Sequence, residues 1–93
     1  MADDAAIRDC VVALLRRRAD DASICPSEVA RALSPDETEW RASMPQVRRV
    51  AAAMAESDEI AVTQGERELP SSEVMLAGGP IRLRRGRGFP SEA

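Results

Sequence analysis

Residues 23–33 read Ser23-Ile24-Cys25-Pro26-Ser27-Glu28-Val29-Ala30-Arg31-Ala32-Leu33. Pro26 has no amide hydrogen to lose and fits the first position of a helix. Val29, Ala30 and Leu33 then share one face, while Ser27, Glu28 and Arg31 point away. Ile24 and Cys25 form a short apolar insert before that helix. Upstream, beyond a polar turn at 19–23, Ile7, Cys10, Val11, Leu14 and Leu15 recur at i, i+3, i+4, i+7 and i+8. That spacing predicts an amphipathic helix over about 4–18, capped at its start by Asp3 or Asp4. Arg16, Arg17 and Arg18 fall in its last turn, where positive charge opposes the helix dipole.

Downstream, Ser34 and Glu37 have the spacing of a capping box with Pro35 at the first helical position. A third helical piece, with Trp40 and Met44 on one face, is expected there. Ser43 and Gln46 repeat the signal around Pro45 and predict a restart in a new direction. The fourth segment, about 44–57, would bury Val47, Val50, Ala51 and Met54. After Asp58 the period drops to two: Ile60 and Val62 alternate with Ala61 and Thr63, as in a strand ending at Gln64-Gly65. A polar loop through Pro70, Ser71 and Ser72 leads to Gly78-Gly79-Pro80 and a second strand, with Ile81 and Leu83 inward and Arg82 and Arg84 outward. The order predicts an α+β, mainly helical chain: a winged helix-turn-helix domain over residues 1–85, with a three-helix core, an extra helical turn and a C-terminal β-hairpin wing. Residues 86–93 show no period and read as a flexible tail.

These residues carry a family likeness. The block from Ser23 to Leu33, then Trp40-Arg41, Met44, Val47-Arg48, Thr63-Gln64-Gly65 and Gly79-Pro80-Ile81-Arg82-Leu83-Arg84, together resemble the bacterial family Domain of Unknown Function 3253 over about residues 5–85. The resemblance implies a winged helix and brings no activity with it. One departure is Asp58, where the family commonly has Gly; Asp tolerates the left-handed conformation of a helix stop, though less readily.

All 13 basic residues are Arg, and the chain has no Lys or His. A GC-rich genome would favour Arg codons as readily as phosphate binding would. Without His or Lys, and with no Gly-rich phosphate loop after a strand, an enzyme is not expected. Two cysteines 15 residues apart without His do not make a zinc site, and no cofactor or small-molecule ligand is evident. Cys10 reads as a core thiol. Cys25, at a helix start, is the more reactive candidate. The apolar runs are short and the N-terminus is acidic, so a cytoplasmic chain with no membrane span is expected.

Charge is uneven: residues 1–40 carry 5 Arg and 9 acids, net −4, and residues 41–93 carry 8 Arg and 7 acids, net +1. The second half is therefore the candidate polyanion face. Arg48 and Arg49 on the last long helix, and Arg82, Arg84 and Arg85 on the wing, are the expected nucleic-acid-binding residues, with DNA or RNA as partner through phosphate contacts. The alternative is a protein-interaction module using the Trp40 and Met44 region or the wing.

Overall fold

A computed structural model describes residues 2–90 of the chain. The elements are α1 (Asp4–Arg16), β1 (Ser23–Ile24), α2 (Pro26–Leu33), α3 (Glu37–Glu56), β2 (Ile60–Gln64), β3 (Arg67–Leu69), α4 (Ser71–Val74) and β4 (Arg82–Arg85). The four strands form one antiparallel sheet in the order β1-β4-β2-β3. Its inner face presents Ile24, Leu83, Val62 and Leu69 to Ile7, Val11 and Leu15 of α1, Val29 of α2 and Val47, Ala51 and Met54 of α3. Among the described residues no polar or charged side chain is fully buried. The result is a small α+β domain of helices layered on one sheet.

Helix α1 is capped by Asp3, whose Oδ1 accepts from the Ala6 amide at 2.8 Å, and stops at Arg16, two residues short of expectation. Helix α2 begins at Pro26 as the sequence predicts. The Glu28 carboxylate reaches back to accept from the Cys25 amide at 2.8 Å.

The largest departure is α3, one helix of 20 residues where two pieces were expected. Ser34 does not cap it, because Ser34 is already the C-cap of α2, its amide donating to Ala30 O at 3.0 Å. The cap passes to Asp36, which accepts from the Glu39 amide at 3.0 Å. Nor does Ser43 restart the chain; its hydroxyl donates to Trp40 O at 2.8 Å. Pro45 therefore lies inside the helix, on its exposed side. An interior proline costs about 3 kcal/mol. Burying Trp40, Val47, Val50 and Met54 along one continuous stripe returns about 1.5–3 kcal/mol for each large side chain, so packing outweighs the lost hydrogen bond.

The expected long hairpin loop also has structure of its own. Gly65, at φ +62°, starts a two-residue turn that folds β3 directly onto β2, with Gln64 opposite Arg67. A Gly at the first turn position matches the type II′ hairpin preference. The Pro70-Ser71-Ser72 segment opens α4, which buries Val74 against α3. Only then does the chain return as β4, between β1 and β2.

The expected tail is corrected as well. Residues 86–90 pack onto the domain: the Gly86 amide donates to Glu59 O at 3.1 Å, the Gly88 amide to Asp58 O at 2.7 Å, and Phe89 lies against the core. Apolar burial of Phe89 and three backbone hydrogen bonds offset the entropy of ordering this segment. Residues 91–93 lie outside the described residues. No helix among those described is long and apolar enough to cross a membrane.

Candidate functional site

Strand alternation places successive β4 side chains on opposite sheet faces. Leu83 points inward, while Arg82 and Arg84 stand on the outer face, Arg84 between Ser23 of β1 and Ala61 of β2, and Arg82 beside Thr63. Arg82 is bound back across β1: its Nε donates to Ser23 Oγ at 3.0 Å and its Nη2 to Ser23 O at 3.1 Å. Arg84 is exposed and has no partner among the described residues.

Arg85 turns the other way, toward the end of α1. Its guanidinium donates to Leu15 O at 3.0 Å and Arg18 O at 3.2 Å, meets Asp20 Oδ1 at 3.2 Å, and lies 4.8 Å over the Phe89 ring. Arg16 meets the same ring at 5.9 Å and donates to Pro90 O at 3.0 Å. These contacts bring Arg16, Arg17 and Arg18 to the same end of the domain as Arg82, Arg84, Arg85 and Arg87. Arg17 and Arg87 are exposed and make no hydrogen bond or ion pair among the described residues, whereas Arg18 is paired with Glu28 at 2.8 Å. Arg84, Arg85 and Arg87 line one side of a groove of about 350 Å³ that also includes Ala61, Ser71, Glu68 and Asp58.

The helix arginines lie elsewhere. Arg48 is half-buried and holds the loop after α4, donating to Ala77 O at 3.1 Å and Gly79 O at 2.8 Å. Gln64 secures the same loop through Gly78 O at 2.6 Å. Arg49 is exposed, beside Asp4, Arg8 and Glu59 in a shallow depression against α1. Because α3 packs on the inner face of the sheet and Arg82 and Arg84 stand on the outer one, the two expected sets do not converge. The first turn of α3 is acidic, with Asp36, Glu37 and Glu39, and Arg41 there is paired to Glu37 at 2.8 Å. Trp40 is 9% exposed, with Arg31 and Arg41 over its ring at 4.5 and 4.7 Å.

The charge is thus divided in space. Among the described residues, seven Arg share the α1–β4 end with Asp20, Asp21, Glu28, Asp58 and Glu68, a local net of +2; the other six Arg and ten acids leave −4. Sequence reading missed Arg17, and took Arg87 only as an acid-free neighbour of the wing arginines rather than as a site residue. Arg17 is explained locally by the helix dipole, and Arg87 falls in what reads as tail. The available signal for Arg87 was the lack of an acid at i±3 or i±4; Arg17 has Asp20 and Asp21 at i+3 and i+4, so nothing local marks it.

Burial pushes the Cys10 thiol above its ordinary pKa, with Arg17 pulling it down less strongly; its Sγ lies 3.9 Å from Val29 O. Cys25 is half-buried and accepts from Ser27 Oγ at 3.1 Å. No group of three His, Cys, Asp or Glu among the described residues could hold a metal ion.

A family model described as a protein of unknown function, DUF3253, matches residues 4–86. No curated protein matches the sequence.

Proposed function

Because the chain belongs to the DUF3253 family, whose description carries no activity, its role rests on its surface, and we propose that it is a winged helix-turn-helix domain that binds nucleic acid through the arginines gathered at the α1–β4 end. The fold reading is supported by the order α1-β1-α2-α3-β2-β4 and by the three adjacent strands β1-β4-β2 against three helices, with β3 and α4 inserted in the wing connection. One observation carries the functional reading: Arg84 and Arg87 are exposed and unpartnered along the same groove as Arg85, whose guanidinium is bonded to the end of α1, where Arg17 is exposed as well. Phosphate contact is the chemistry that uses several uncommitted guanidiniums on one surface. Insertion of the start of α3 into a major groove, the usual helix-turn-helix mode, is disfavoured because Asp36, Glu37 and Glu39 would meet phosphates. Arg48 and Arg85 then support the surface, and Arg84 is its central contact.

Fluorescence anisotropy with duplex DNA and with RNA at about 50 mM salt tests this reading. Three phosphate contacts predict micromolar affinity and a log–log salt slope near about −2.7. Changing Arg17, Arg84 and Arg87 together to Ala removes binding, and Arg49→Ala leaves it intact. Absence of binding at high micromolar protein, or loss of binding in Arg49→Ala alone, refutes it.

A protein partner is the second reading, and Met75 and Leu76 favour it. They are 45% and 82% exposed on the loop that Arg48 and Gln64 secure. The Trp40 region supports it less, since two guanidiniums already cover the indole.

A further inference from the structure

At the opposite end of α1 from the arginines, the start of α1, the end of α2 and the first half of α3 enclose a groove of about 570 Å³. It exists because α3 runs unbroken through Pro45, which holds Ala42 on one wall facing Leu33 of α2. Ile7 and Val47 form its floor, Leu33 is 37% exposed at its side, and Ala42 leaves room above. Its volume falls within the range of ligand sites, which combine an apolar lining with a few placed polar groups.

No arginine lines this groove, in a chain where 13 of 93 residues are Arg. Its charged wall residue is Glu39, whose Oε2 accepts from Ser34 Oγ at 2.7 Å and keeps its remaining acceptor capacity. Asp4 and Asp36 lie nearby: Asp4 accepts from Gln46 on the groove wall at 2.9 Å, and Asp36 caps the same first turn of α3 that holds Glu39, whereas Glu37 is neutralised by Arg41. An anion would enter against this field and a neutral apolar molecule would ignore it. We propose that the groove binds a small organic cation, a protonated amine on an apolar body, with the ammonium on Glu39 and the body against Leu33, Ala42 and Val47. This site is independent of the nucleic-acid reading, since it uses none of the same residues and lies a helix length away.

The test uses the full chain and three probes matched in shape: 4-phenylbutylamine, 4-phenylbutanol and 4-phenylbutyrate, followed by amide chemical shifts. The amine binds with a dissociation constant in the range of about 0.1–1 mM, as suits so small a ligand, and shifts the amides of Leu33, Ala42 and Val47. The alcohol binds more weakly and the carboxylate more weakly still. Glu39→Gln, an exposed change that leaves the core intact, weakens the amine by about two- to fivefold, the scale of an exposed ion pair, and does not affect the alcohol. Ala42→Leu fills the groove and removes binding while the remaining spectrum stays dispersed. Carboxylate binding equal to the amine, shifts clustered outside the groove, or an unchanged amine affinity in Glu39→Gln overturns the proposal.

Discussion

Gly86→Ala is expected to loosen the whole arginine-rich end. A Cβ on Gly86 would stand 2.3 Å from Asp58 O and 2.9 Å from both Ile60 N and Ile60 C, and all three are backbone atoms that cannot rotate away. The segment must lift, with loss of the Gly86-to-Glu59 and Gly88-to-Asp58 hydrogen bonds and of Phe89 packing. Two hydrogen bonds are worth about 0.5–1.5 kcal/mol each, and half-burial of Phe89 about 1 kcal/mol. The total is roughly 2–4 kcal/mol. For a domain of this size that lowers Tm by about 8–32 °C, at about 4–8 °C per kcal/mol. Thermal melts by circular dichroism measure it, with Gly88→Ala as the comparison. There the added Cβ meets nothing closer than 3.2 Å and the cost is under about 1 kcal/mol. A Gly86→Ala melt within about 3 °C of the parent would show that residues 86–90 do not dock as described, and the link between Arg85, Phe89 and Arg16 would fail with them.

Three further outcomes follow from the same geometry. Pro45→Ala restores an amide inside α3 and should stabilise the domain by about 1–3 kcal/mol in urea unfolding; a destabilised variant would mean that the helix breaks at Pro45. Asp58 sits at φ +62°, so Asp58→Ala should cost about 1 kcal/mol while Asp58→Gly costs nothing or gains slightly, read from the same melts. Cys10 should react with iodoacetamide at pH 8 more slowly in the folded chain than in urea, followed by mass spectrometry, because burial raises its pKa. By linkage the fold favours the protonated thiol, so that contribution is complete below the unfolded pKa and is lost as pH rises through the higher folded value.

The elements that follow from local periodicity were legible. The α1 stripe, Pro26 at the start of α2, the alternation of Ile60 and Val62, and that of Ile81 and Leu83 need only the spacing of apolar residues. Asp58 in the left-handed region was legible only through the family resemblance, in which Gly commonly stands at this helix stop. The misreadings arose where two local signals competed and burial decided. Ser34 and Asp36 are both good caps, but Ser34 was taken by the end of α2. Pro45 is a strong break signal, yet the stripe from Trp40 to Met54 buries more than the proline costs. β3 is only three residues, two of them charged, so it carries almost no alternation to detect.

The site was less legible for a different reason. A strand pattern says which face Arg82 and Arg84 occupy, but not whether a guanidinium is already committed, and that depends on carbonyls supplied from far along the chain. Arg48 finds Ala77 and Gly79 only because β3 and α4 return the loop to α3; Arg85 finds Leu15 and Arg18 only because β4 runs beside the end of α1. The same contacts that commit those two arginines to backbone carbonyls fix β4 and the segment after it, and so the places of Arg84 and Arg87 on the surface. An arginine bonded to backbone carbonyls is worth most where the chain has few other ties, as in a two-residue strand and an irregular C-terminal segment. Substituting Arg85 should therefore weaken nucleic-acid binding by displacing Arg84 and Arg87, whereas substituting Arg84 should weaken it with stability unchanged. Only the second removes a contact directly.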